Sequence, residues 1–131
     1  MIDVKELRIG NHLLQKHLKT CDKVLGIKDN YLLTTNDIAP NNWVGLGLYD
    51  PIPLTPEVLQ KCGFEITYDS KFHTSWDADI LGHGEIGYVI WHEKKRSNFR
   101  YYGEKDIPCQ YLHQLMNLYF ALTGEELIYT P

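Results

Sequence analysis

Hydrophobic positions follow three patterns along the chain, and each predicts a different kind of element. In residues 12–49 they come in short bursts broken by turn residues. Residues 12–15, 23–28, 31–35 and 43–49 read as strands, with turn signals at Gly10-Asn11 and Asp29-Asn30. Gly45 and Gly47 mark bends or a bulge in the last of these. Short strands so closely spaced predict a small curved antiparallel β lobe, of which an SH3-like barrel is one form.

A rigid connector follows, because Pro51 and Pro53 fix their own φ and push the residues before them out of helical space. Thr55-Pro56 then starts a short helix over about 55–62. Thr55 is placed as N-cap, Pro56 at the first helical position and Gly63 as the stop, with Leu54 and Leu59 forming a hydrophobic staple. The pattern next changes to period two. Residues 64–68 alternate, Asp69-Ser70 turns into 72–76, and 86–92 is the strongest strand signal in the chain. Residues 77–84 read as loop, 93–98 as a charged hairpin tip and 99–102 as its returning strand. Together these predict an antiparallel sheet over about 64–102.

The third pattern is helical. From Gln110 to Gly124 the apolar side chains cover an arc of roughly 200° at about 100° per residue, wider than the stripe of an ordinary surface helix. The predicted helix spans about 108–123, with Asp106 at its N-terminus, Pro108 in the first turn and Gly124 as the left-handed stop. So wide an arc places Leu115, Leu118 and Leu122 at the centre of the core, with Leu112, Tyr119 and Phe120 largely buried. A short strand over 126–130, or a tail packed back on the core, is expected after it. The fold class is α+β: an N-terminal β lobe over 1–50, then an antiparallel sheet packed by one short and one long helix over 51–131. The two lobes are expected to share a core and unfold as one cooperative unit.

Composition narrows the function classes. At 131 residues, with 44% hydrophobic and 12% aromatic content, the chain has the makings of a buried core. A formal charge of −4 argues against a dedicated nucleic-acid binder. The three cysteines, Cys21, Cys62 and Cys109, show no CxxC spacing, so neither a zinc site nor a disulfide framework is predicted. The opening residues carry charges with no apolar core of a signal peptide, and no apolar run reaches membrane-span length. A cytoplasmic location, no membrane partner and no cofactor are expected.

Candidate chemistry is sparse. His73, His83 and His92, with Asp77, Asp79, Glu85 and Glu93, hold the residue types of a metal or acid–base site. They lack a ligand spacing such as HExxH, and isolated surface histidines are the simpler reading. A nucleophile is suggested by Cys109 at a helix start with His113 four residues on. Ordinary packing of a small residue explains Cys109 equally well. Lys94, Lys95, Arg96 and Arg100, among Asn98, Phe99, Tyr101 and Tyr102, form a basic and aromatic hairpin able to stack bases and meet phosphates. A solvated turn that guards a sheet edge would look the same. On the long helix Gln110, His113, Gln114 and Asn117 form a polar strip, read first as structural.

Three segments carry a resemblance. They are Glu6-Leu7-Arg8-Ile9-Gly10-Asn11, then Pro51 to Glu57 running on to Cys62-Gly63-Phe64, then Leu112 to Leu127. In that order they resemble an uncharacterised family of short proteins from gut bacteria and their phages or mobile elements. The resemblance implies no activity, cofactor or site residue. Without an assembled catalytic motif, and with three tryptophans and nine tyrosines to place, the expected function is a non-enzymatic accessory or binding module. It would act through an unknown protein partner or self-association. Alternatives are a nucleic-acid-binding accessory protein using 94–102 and a metal-dependent enzyme using the three histidines.

Overall fold

A computed structural model describes residues 2–35, 43–77, 86–92, 96–101 and 105–131. Within them the chain is α+β, with two open antiparallel sheets of five strands each, a short helix and a long one. No helix among the described residues is long and apolar enough to cross a membrane. The chain divides into two compact units, Met1–Pro53 with Tyr111–Glu125, and Leu54–Gln110 with Glu126–Pro131.

In the first unit β1 (His12–Gln15), β2 (Cys21–Lys28), β3 (Tyr31–Thr34), β4 (Val44–Gly45) and β5 (Tyr49–Asp50) lie in the order β4-β3-β2-β1-β5. The hairpin between β1 and β2 is fixed by Gln15. Its Oε1 accepts the amides of His17 and Leu18 at 2.7 and 2.6 Å, closing the turn over its own side chain. That sets the register His12↔Lys23 and Leu14↔Cys21. The period-two pattern then sends Leu13, Val24 and Leu32 inward, where they form a core with Ile2 and Tyr49. Buried within it, Tyr49 donates to Asp22 Oδ2 at 2.9 Å and pairs with Thr34 Oγ1 at 2.8 Å, so the inward carboxylate has a partner.

The long helix α2 (Leu112–Thr123), which sequence placed with the second lobe, falls in this first unit and packs on β1. It also starts later than expected. Lys105–Pro108 is a tenth strand, so Asp106 and Pro108 sit in a ladder instead of a helix start. The free amide of Leu112 is taken by the Ile52 carbonyl at 2.8 Å, and Gln114 Oε1 accepts the Tyr111 amide at 3.2 Å. Gly124 closes the helix at φ 75°, as expected.

The wide apolar arc is corrected by burial. Leu112, Leu115, Met116 and Tyr119 are buried, a single i, i+3, i+4, i+7 stripe. Leu118 is half-buried, and Phe120 and Leu122 are exposed. The Arg8 guanidinium lies 4.3 Å from the centroid of the exposed Phe120 ring, a cation–π contact that covers one of its faces.

The second unit carries β6 (Glu65–Asp69), β7 (His73–Asp77), β8 (Ile86–Trp91), β9 (Arg96–Tyr101) and β10 (Lys105–Pro108), paired in the order β10-β9-β8-β7-β6. Strand β9 begins at Arg96, so Arg96, Ser97 and Asn98 belong to a ladder and not to the hairpin tip that their polarity suggested. Helix α1 (Pro56–Lys61) has its N-cap bond from Val58 N to Thr55 Oγ1 at 3.2 Å, and Leu54 and Leu59 are both buried. Residues 126–130 form no strand. The tail is held by buried Leu127 and by a 3.3 Å bond from the Thr130 amide to the Lys61 carbonyl.

Candidate binding clefts

At one end of the first unit, the turn between β2 and β3 shapes two adjoining clefts. Lys28 pairs with Tyr31, and Asp29 stands in the left-handed region at φ 52°, which a short polar side chain tolerates. Tyr31 in turn pairs with Gly45, which has no side chain to fill the space across from it. The Leu46 amide donates to the Asn30 carbonyl at 2.9 Å and pins the next segment to the turn. A cleft of about 510 Å³ results, lined by Ile2, Asp3, Val4, Asn30, Tyr31 and residues 45–47. A second, of about 310 Å³, is lined by Lys28, Asp29, Tyr31 and Trp43.

Tyr31 is common to both, and it and Trp43 are 54% and 45% exposed. Large aromatics left half in water beside a concavity mark a recognition surface better than scattered apolar residues do. Trp43 is positioned by an absence. A β-carbon at Gly26 would stand 3.1 Å from its ring, so the bulge between Val24 and Gly26 and the bare glycine together seat the indole. Neither cleft has a serine, cysteine or histidine among its described lining residues, and each has a single carboxylate.

The residues singled out from sequence lie elsewhere. His73 pairs with Trp91 across the ladder and shares its face, whereas His92 Nε2 bonds Thr74 Oγ1 at 2.9 Å on the other face. The two histidines therefore point away from each other. His83, with Asp79, Glu85 and Glu93, lies outside the described residues. Among the described residues no three metal-ligating side chains cluster. What His73 does join is an aromatic row: its ring lies 5.1 Å from Tyr68 and 4.7 Å from Trp91.

Of the basic cluster, Lys94 and Lys95 lie outside the described residues, as does Tyr102. Arg96 pairs with Trp91 and Arg100 with Gly87, at strand positions of one parity, while Tyr101 pairs with Ile86 at the other parity. Cys109 is fully buried in the extended residues before α2, so the helical spacing that would have linked it to His113 does not apply.

The polar strip is mainly an anchor. Gln110 precedes the helix and is exposed. Asn117 Oδ1 accepts from Arg8 Nε at 3.2 Å and Asn11 Nδ2 at 2.9 Å, and its Nδ2 donates to the Glu6 carbonyl at 2.7 Å. His113 is 1% exposed, with neither ring nitrogen hydrogen-bonded and Nε2 3.8 Å from Glu6 Oε2. Burial lowers its pKa, and the nearby Glu6 carboxylate opposes that shift without cancelling it.

A stability slope follows. The unfolded chain binds the His113 proton more readily, so this contribution is complete above the ordinary value of 6.5 and is lost as pH falls through the folded-state pKa. Melting temperature should drop on acidification from about pH 7 to pH 5, and less steeply in His113→Gln. His12, lowered by burial and by Lys23, keeps its own share of the slope in that variant. Parallel melting-temperature curves for the two proteins would remove His113 from the account.

Sequence reasoning missed Tyr31 and Trp43. Only the Asp29-Asn30 turn beside Tyr31 hinted at an exposed aromatic. The sequence matches no family model, no curated protein and no solved structure.

Proposed function

We propose that this chain is a non-enzymatic binding module that docks an extended segment of a partner protein against Tyr31 and Trp43. The observation that carries the reading is the pair of clefts sharing Tyr31, with both aromatics half in water. Aromatic walls give contact area at low side-chain entropy, the usual basis of peptide recognition. The charged lining residues, Asp3, Asp29 and Lys28, carry net negative charge: two carboxylates against one ammonium. The complementary segment therefore carries apolar side chains beside a lysine or arginine, whose cation also suits the two rings.

The test is an arrayed library of short peptides of that composition, with affinities measured by fluorescence anisotropy on the full chain. Tyr31→Ala and Trp43→Ala are each expected to weaken the best binder at least about tenfold, as loss of an aromatic hot spot does. Binding that survives both substitutions would overturn the site.

A second reading, nucleic-acid binding, is favoured by the row Tyr68–His73–Trp91. Stacked rings suit single-stranded bases. Single-stranded oligonucleotides form the control arm of the same assay. Binding there that is lost in Trp91→Ala, with no peptide bound, would reverse the order of the two readings.

A further inference from the structure

The β1–β2 hairpin brings together side chains far apart in the sequence. Cys21 and His12 are diagonal neighbours on its outer face, with Sγ 3.5 Å from Nδ1. Lys23 is the direct cross-strand partner of His12 and shares that face. The three thiols of the chain are in different situations. Cys62 is buried, which pushes its pKa up to about 12, and Cys109 is fully buried, while Cys21 is partly exposed.

We propose that Cys21 is a reactive thiol served by His12 as proton acceptor, forming a site for thiol–disulfide exchange with low-molecular-weight disulfides. Burial and the Lys23 charge hold the His12 imidazole below its ordinary pKa, so it stands neutral at pH 7 and able to take a proton. The Lys23 ammonium lies on the side where negative charge grows as the thiol ionises. Of the carboxylates nearby, Asp22 points to the inner face, where Tyr49 donates to it, and Asp50 faces Leu14 from β5, which puts it two strand spacings or roughly 10 Å from Cys21. Asp50 Oδ1 is also held by Lys16 Nζ at 3.6 Å.

The step balances without another reactant. The thiol proton passes to His12 Nδ1, and the Cys21 sulfur attacks one sulfur of the disulfide. A mixed disulfide forms, the old S–S bond breaks, and the leaving thiolate takes the proton back from the imidazolium.

The experiment treats the folded full chain with a chromogenic aromatic disulfide near pH 7 and maps the modified thiol by peptide mass spectrometry. One equivalent is expected to react at least about tenfold faster than the same thiols in the unfolded chain, as activated cysteines do. Cys21→Ser should remove that phase, and His12→Gln should slow it severalfold while leaving the melting profile cooperative. Because a variant can fail for structural reasons, the wild-type pH profile is a second readout. The rate should fall less than tenfold per unit below pH 7, the decline of an unassisted thiol. A fast phase that survives Cys21→Ser, a rate no faster than in the unfolded chain, or an unassisted pH profile would overturn the assignment.

Discussion

Replacing Leu115 by alanine is expected to cost about 2–5 kcal/mol, a large share of a total stability of about 5–15 kcal/mol. Leu115 is fully buried on the stripe that α2 turns toward β1, together with Leu112, Met116 and Tyr119. Removing three carbons there sacrifices both transfer free energy and the contacts around the space left behind. The same substitution serves as its own control along one helix. Leu118 is half-buried and should lose clearly less, and exposed Leu122 less than about 1 kcal/mol, as surface changes do. Urea unfolding with unchanged m-values would rank the three as 115, then 118, then 122. Equal losses at all three would mean that the helix is covered on every side, the arrangement the apolar arc alone predicts.

That arc shows why the sequence was legible in some places and opaque in others. Elements bounded by strong local chemistry could be read directly. The Thr55-Pro56 start of α1 and the Gly124 stop of α2 are decided within a few residues, by a side-chain oxygen, a missing amide and a left-handed φ. The start of α2 was not so decided. Asp106 and Pro108 carry helix-start chemistry, but β9 offers residues 105–108 a complete ladder, and tertiary pairing overrides local preference. Burial along the helix escapes the local pattern for a related reason. Apolar residues are common on surfaces, so an apolar Phe120 did not imply a covered one, and the Arg8 guanidinium could not be placed against it without the fold.

The candidate sites follow the same division. Tyr31 and Trp43 form clefts only because Gly45 leaves space opposite one and Gly26 seats the other, through pairings that no local pattern encodes. His12 and Cys21 meet because Gln15 closes the hairpin turn where it does, so one glutamine side chain decides which outward residues become diagonal neighbours. The histidines read from sequence separated for the converse reason. Adjacent strands put His73 and His92 one ladder step out of phase, and one step reverses the face.

Asn117→Leu is expected to destabilise the protein by about 2–4 kcal/mol. The amide ties α2 to the segment that opens the chain. Its oxygen accepts from Arg8 and Asn11, and its nitrogen donates to the Glu6 carbonyl. Asn11 is fully buried, and its own Oδ1 is committed to the Arg8 amide at 2.8 Å. Leucine at 117 would leave the Asn11 Nδ2 donor stranded away from water, and a stranded buried donor costs more than the bond it once made. Since the residues act as one network, the losses should not add. Asn11→Ala and Asn117→Leu together should cost less than their sum by about 0.5–3 kcal/mol, measured as a double-mutant cycle in urea. Strict additivity, or an Asn117→Leu loss within about 0.5 kcal/mol of zero, would show that the helix is held by its apolar stripe alone.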